Sequence, residues 1–184
     1  MQEYDVAIIG GGPVGGYVAK KIAEKKYKTI LFEEHKNIGL PLQCAGLVTN
    51  RVFELLNFSH EIVLQNKVKG ANIHSPSDHI LTIGGDKTYA LSINRIRFDE
   101  EIMKQAEKEN VEIFLESKVL SAKKCKDHVE LETTKNQKIK CKILIGADGP
   151  HSKTRGWFNL PQPKEILMVI GAEITNINID PNYV

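Results

Sequence analysis

The residues whose types and spacing could do chemistry are glycines 10, 12 and 15, a carboxylate at Glu33, a loop thiol at Cys44, and the pair Asp148-Gly149. The glycines follow an apolar, β-branched run, Tyr4-Asp5-Val6-Ala7-Ile8-Ile9, and lead into a helical pattern with Val14, Val18 and Ile22 on one flank and Gly15, Ala19 and Ala23 beside it. A G-x-G-x-x-G between strand and helix is a cradle for a dinucleotide pyrophosphate. Gly10 permits the tight turn, Gly12 lets the phosphates approach the backbone, and Gly15 lets the helix pack closely on the strands. The helix N-terminus adds unpaired N–H groups and a partial positive charge. Glu33 closes a second apolar run, Thr29-Ile30-Leu31-Phe32. A carboxylate there accepts hydrogen bonds from a ribose diol and repels a 2′-phosphate, which argues against NADP. A glycine-rich turn without a ligand would leave three entropically costly glycines unexplained.

The other candidates are weaker alone. Asp148-Gly149 follows the apolar run Lys142-Ile143-Leu144-Ile145 and by itself reads as a turn. Cys44 lies in a loop punctuated by Gly39, Pro41 and Gly46, which makes core filling a poorer explanation than a ligand-facing role. No base is adjacent, so it is not read as a nucleophile. The histidines at 35, 60, 74, 79, 128 and 151 show no metal spacing, and Cys125 and Cys141 read as strand residues without chemistry, so no metal is expected. Trp157 and Phe158 read as packing residues.

These residues need elements to position them. The chain has 184 residues, 41% hydrophobic and 26% charged, an ordinary globular composition. A net charge of +2 with scattered lysines gives no argument for nucleic acid. No apolar run approaches the roughly 18 residues of a membrane span. The first strand begins within four residues of Met1, which is read as leaving no room for a leader. The odd number of cysteines, at 44, 125 and 141, reads as reduced thiols of a cytoplasmic protein. The pattern predicts a short helix over 50–57, antiparallel strands over 68–74, 80–83 and 88–93, and a helix over 94–110 capped by Asp99. Beyond these it predicts a strand over 111–115, a meander over 118–122, 129–133 and 137–140, a buried strand over 142–145, a short helix to Trp157 and a terminal strand over 166–179. The expected organisation is an α/β, Rossmann-like nucleotide-binding domain of mixed, largely parallel sheet (1–60 and 94–158). To it is added the start of an antiparallel β-rich substrate domain (61–93 and 159–184).

Three ordered segments carry a resemblance: residues 10–15 with Glu33, then Arg95-Ile96-Arg97-Phe98-Asp99, then Gly146-Ala147-Asp148-Gly149-Pro150-His151-Ser152. Together they resemble FAD proteins with the p-hydroxybenzoate-hydroxylase-like fold. Within that superfamily, Ile38-Gly39-Leu40-Pro41-Leu42-Gln43-Cys44-Ala45-Gly46 resembles the geranylgeranyl reductase family, whose archaeal members saturate the isoprenoid chains of membrane lipids. The resemblance implies that Gly10, Gly12, Pro13, Val14, Gly15, Glu33 and Glu34 hold the adenosine diphosphate half of FAD. It puts Cys44, Ala45 and Gly46 at the flavin end, Arg95 on the cofactor, the Val119 backbone at the adenine, and Asp148 and Gly149 by the ribityl and pyrophosphate. Cys44 is the flavin-proximal candidate; no catalytic residue is named. The family's later Gly-Asp flavin motif and its Pro-x-Tyr-x-Trp-x-Phe-Pro cavity motif are absent, so the sequence is read as an N-terminal portion.

The implied reaction is reduction of isoprenoid double bonds in polyprenyl lipids, with NAD(P)H or ferredoxin as electron donor and a peripheral membrane contact compatible with the substrate. Two other readings stand beside it: an FAD monooxygenase of the aromatic hydroxylase type, since fold does not fix chemistry, and an FAD-binding fragment that is catalytically incomplete.

Overall fold

The computed structural model describes residues 1–172 and 174–184. In chain order its elements are β1 (Gln2–Ile9), α1 (Pro13–Ala23), β2 (Thr29–Phe32), β3 (Leu47–Val48), α2 (Arg51–Leu56), β4 (Leu64–Val68), β5 (Gly70–His74) and β6 (Ile80–Gly84). They continue with β7 (Ala90–Ile93), α3 (Arg95–Lys108), β8 (Glu112–Phe114), β9 (Val119–Lys124), β10 (Val129–Thr133), β11 (Lys138–Gly146) and α4 (Lys153–Trp157). Two units emerge: Met1–Pro41 with Asp99–Met168, and Leu42–Phe98 with Val169–Val184.

The first unit is built on a six-stranded sheet in the order β8-β2-β1-β11-β10-β9. Strands β8, β2, β1 and β11 run parallel, and β10 and β9 continue antiparallel. Successive strand residues point to opposite faces, and both faces are covered. Ala7, Ile9, Ile30 and Phe32 join Val119, Leu131, Ile139 and Cys141 in one core. Val6, Ile8 and Leu31 join Ala19 and Ala23 of α1 and Met103 and Ala106 of α3 in the other. Burial on both faces is why β1 and β2 read as continuous apolar runs rather than alternating ones.

Register matters most for function. Ile9 pairs with Phe32 on one side and with Gly146 on the other. Because the three strands are parallel, the chain leaves all of them at one sheet edge, at Gly10, Glu33 and Ala147.

The second unit holds the antiparallel sheet β3-β7-β4 and the β5–β6 hairpin. Phe53, Phe58 and Phe98 form a ring cluster with centroids 5.5–5.9 Å apart. The Lys69 N–H donates to the Asn182 carbonyl at 2.7 Å and the Asn72 N–H to the Val184 carbonyl at 2.8 Å, which ties the last residues to β5.

Several expectations about elements are corrected. The terminal strand over 166–179 is not formed among its described residues, and residue 173 lies outside them. A strand needs a ladder partner, and among the described residues this stretch pairs with none: Ile170 is 97% exposed. The α3 cap is Asn94, whose side chain accepts from the Arg97 N–H at 3.0 Å. Asp99 is instead a buried residue inside the helix. The expected strands over 137–140 and 142–145 are one strand, β11, because β1 pairs along almost its whole length. The expected strand over 68–74 divides at Lys69 into β4, paired with β7, and β5, paired with β6. Of the two flanks of α1, Gly15, Gly16, Ala19 and Ala23 are buried, Val18 and Ile22 pack partly buried against the core, and Val14 is 66% exposed. Residues 42–60 and 94–98, expected with the nucleotide-binding part, cluster with the second unit, where β3 pairs with β7 and the Ile93 N–H donates to the Gly46 carbonyl at 2.9 Å.

Candidate functional site: a phosphate cradle at the sheet edge

The glycine turn is held by contacts that only glycine allows. Gly10 has φ +108°, and a Cβ there would overlap the Ala147 carbonyl. A Cβ at Gly15 would overlap the Gly10 carbonyl oxygen. Ala147 N–H donates to the Ile9 carbonyl at 2.8 Å, so residues 10–15 and 146–149 are joined through backbone although far apart in sequence. At Gly12 the situation reverses: a Cβ would meet nothing within 4 Å. No contact inside the protein requires a glycine there, and the open space is what an incoming phosphate would use. Gly149, at φ +74°, likewise has nothing within 4 Å of a Cβ.

Helix α1 starts at this opening. Gly12 is its N-cap in extended conformation, Pro13 occupies the first turn, and among the described residues no side chain caps it. Proline fits there because its missing N–H is one that a helix leaves unpaired anyway. The remaining first-turn N–H groups and the helix dipole thus favour an anion. No acidic residue sits in that turn to compete.

Glu33 points back at the turn. Its Oε2 accepts from the Gly11 N–H at 2.6 Å, and its Oε1 accepts from the His35 N–H at 2.9 Å and lies 2.6 Å from His35 Nδ1. These bonds fix the carboxylate beside the glycines, at the tip of β2. Glu34 is turned to Lys118, with 2.6 Å between its Oε2 and Nζ, and this hydrogen bond holds the Glu34 carboxyl below its usual range. Ser117 N–H donates to the Glu33 carbonyl at 2.8 Å, which anchors the segment entering β9. Val119 begins β9 with its side chain buried in the core.

Asp148 has an internal role. It accepts from Ser152 Oγ at 2.6 Å and from the Thr154 N–H and Oγ1 at 3.0 Å each. Burial opposes its ionisation, but these donors outweigh burial and hold the carboxyl below its ordinary value. The segment after β11 is therefore braced against the start of α4.

Cys44, Ala45, Gly46 and Arg95 belong to the second unit. Cys44 is exposed, and its Sγ accepts from the Gly46 N–H at 3.5 Å. Gly46 has φ +78°, and a Cβ there would overlap the Ile93 carbonyl and lie 3.4 Å from Arg95 Cγ. Arg95 opens α3. The loop thiol, its glycine and the arginine are thus neighbours, as the sequence order alone does not require.

A sequence model described as the FAD binding domain matches residues 3–182. The chain belongs to that family. It is 35% identical over 187 residues to an uncharacterized protein of Methanocaldococcus jannaschii, covering 99% of this chain and 46% of that one. It is 27% identical over 187 residues to the digeranylgeranylglycerophospholipid reductase of Methanococcus vannielii, covering 98% of this chain and 48% of that one. The chain thus spans about half the length of the curated relatives it matches. Among solved structures, a geranylgeranyl bacteriochlorophyll reductase-like protein from Thermoplasma acidophilum superposes with a TM-score of 0.81 at 23% identity, over 100% of this chain and 49% of that one. At that identity the likeness shows the fold.

FAD is the cofactor of this family, and the residues present fit it. The opening at Gly12, the uncapped helix start and the fixed Glu33 carboxylate match a pyrophosphate followed by a ribose. Sequence reasoning missed Gly11, Gly16 and Lys118. The Gly11 N–H holds Glu33. Gly16 lets α1 approach α3, since a Cβ there would come to 2.9 Å from Ile102 Cγ2. Lys118 fixes Glu34. The Gly10-Gly11-Gly12 run and the Gly15-Gly16 pair were the available signals for the two glycines; nothing in the sequence singled out one lysine among many.

Proposed function

We propose that the protein is the FAD-binding part of a reductase that saturates isoprenoid double bonds of polyprenyl membrane-lipid precursors. The observation that carries this reading is the 27% identity, sustained over 98% of the chain, to a protein named digeranylgeranylglycerophospholipid reductase. Reduced FAD supplies the hydride for such a reaction when bound. The protein's own residues do the holding. The α1 N-terminus and the backbone at Gly12 bind the pyrophosphate, and Glu33, locked by Gly11 and His35, accepts the ribose hydroxyls. The Val119 backbone meets the adenine, and Asp148 and Gly149 shape the exit toward the ribityl chain. Gly10, Pro13, Val14 and Gly15 set the turn, and Glu34 braces it through Lys118. Cys44, Ala45, Gly46 and Arg95 serve the flavin end. Electrons come from a nicotinamide nucleotide or a ferredoxin, and the lipid substrate brings the protein to a membrane surface. Among the described residues no helix is long and apolar enough to cross a membrane.

The test is an anaerobic assay of the chemically reduced full-length reductase that carries this part, with a digeranylgeranyl glycerophospholipid in detergent, read by mass spectrometry. Products heavier by two hydrogens per reduced double bond are the expected result. Lipid recovered unchanged, or oxygen consumption coupled to hydroxylation of an aromatic substrate, contradicts it.

A further inference from the structure

The turn joining β9 to β10 brings together three side chains that the cofactor site does not use. The Cys125 N–H donates to the His128 carbonyl at 2.8 Å, so these residues face each other across the turn. Residues two apart on a strand share a face, which puts Glu130 of β10 on the same side as His128. The odd-numbered neighbours confirm this alternation: Leu131 is buried in the core and Val129 packs against it. The Cys125 thiol, a His128 ring nitrogen and a Glu130 carboxylate oxygen all lie within 4.8 Å of one another, each residue half-buried.

The geometry of the histidine is specific. Its Nδ1 lies 2.7 Å from Asp127 Oδ1, and its Nε2 lies 3.3 Å from Glu130 Oε1. A carboxylate on one ring nitrogen fixes the tautomer and aims the other nitrogen, as the outer partner of a metal-bound histidine does. In a tetrahedron with metal–ligand bonds of about 2.0–2.3 Å, ligand atoms stand roughly 3.3–3.8 Å apart. The Nε2 to Glu130 separation already has that value. Lys123 and Lys140 pair with Glu130 in the two ladders and limit how much positive charge the site accepts without a thiolate.

We propose that Cys125, His128 and Glu130 form a site for a zinc-class divalent cation, oriented by Asp127, with a fourth position open to water. One thiolate, one imidazole and one carboxylate form a borderline-soft donor set that suits zinc over calcium or magnesium. Binding releases the thiol proton, and any proton held at Nε2, to water, so that the thiolate and the Nε2 lone pair coordinate the cation while Nδ1–H stays on Asp127. The cation joins both arms of the β9–β10 turn.

The experiment is titration of the holoprotein, kept under a phosphine reductant, with cobalt(II), followed in the red d–d region where oxidised flavin does not absorb. Zinc content after dialysis is measured alongside. One equivalent of tetrahedral cobalt, displaced by zinc, is expected. Cys125→Ser and His128→Gln are expected to abolish the signal with flavin content unchanged, and Asp127→Asn to weaken binding about 10- to 100-fold. Cys44→Ser is expected to leave it intact, which separates this site from an adventitious exposed thiol. A missing cobalt signal, a signal that survives Cys125→Ser, or one that disappears in Cys44→Ser would each overturn the proposal.

Discussion

At the scale of single residues, the arrangement separates glycines that the fold needs from one that no described contact requires. Gly10 and Gly15 touch backbone that a methyl group would strike. A Cβ at Gly12 would meet none of the described atoms within 4 Å, so under the proposed function its smallness leaves room for an incoming group. Asp148 is a second residue whose role the structure clarifies. Its three donors make it a brace for α4 as well as a neighbour of the cradle. Asp148→Asn keeps the shape but not the charge, and charge-assisted hydrogen bonds are the strong ones. The variant is expected to be less stable by about 2 kcal/mol at neutral pH. The folded carboxyl is held below its usual range, so its contribution is fully present above the unfolded value and lost as pH falls through the folded one. Urea melts from pH 7 downward should therefore show the two proteins converging once the pH drops below roughly 4. A gap that persists unchanged in acid would show that charge is not the cause.

At the scale of elements, legibility depended on whether the determining partner was near in sequence. The strand–turn–helix–strand over 4–33 was readable because apolar runs, glycines and terminal acid all lie within one unit. The β9–β10 turn was readable as a turn from Lys126-Asp127, but its ligand geometry was not. Cys125, His128 and Glu130 come together only once the turn folds Cys125 back against His128. One β11 was read as two strands because its continuity is dictated by β1, distant in sequence. Residues 166–179 show the opposite failure. Their β-branched composition satisfies strand propensity, which is a weak prior without a partner. The α3 cap was misassigned because Asp99 and Asn94 are both good capping types, and only the chain path decides between them. Asn94→Ala is expected to cost about 1 kcal/mol, a fall in melting temperature of roughly 2–4 °C, whereas a variant that melts like wild type would place the helix start elsewhere.

At the scale of the whole molecule, the parallel register of β1, β2 and β11 brings together motifs more than a hundred residues apart. That convergence was foreseeable only through the family resemblance, since no local signal couples Gly10 to Ala147. The separation into two units also has a consequence for protease sensitivity. Leu167, Met168, Val169 and Ile170 are highly exposed, and no strand or helix holds them. Exposed backbone outside secondary structure is cut first. Brief chymotrypsin treatment is expected to cleave within 160–170 before any site in the six-stranded sheet. A first cut inside β1, β2 or β11 would contradict the burial described.

The central claim is that FAD is held with its pyrophosphate at Gly12 and the start of α1. Its most direct measurement is the flavin-to-protein ratio of wild type and Gly12→Val, each reconstituted with FAD and desalted, with the released cofactor identified by chromatography. The wild type should retain FAD near one per chain. Gly12→Val should retain almost none while its circular dichroism and melting temperature stay close to wild type, because a Cβ at this position meets no described atom within 4 Å. Equal flavin retention in the two proteins would contradict the account.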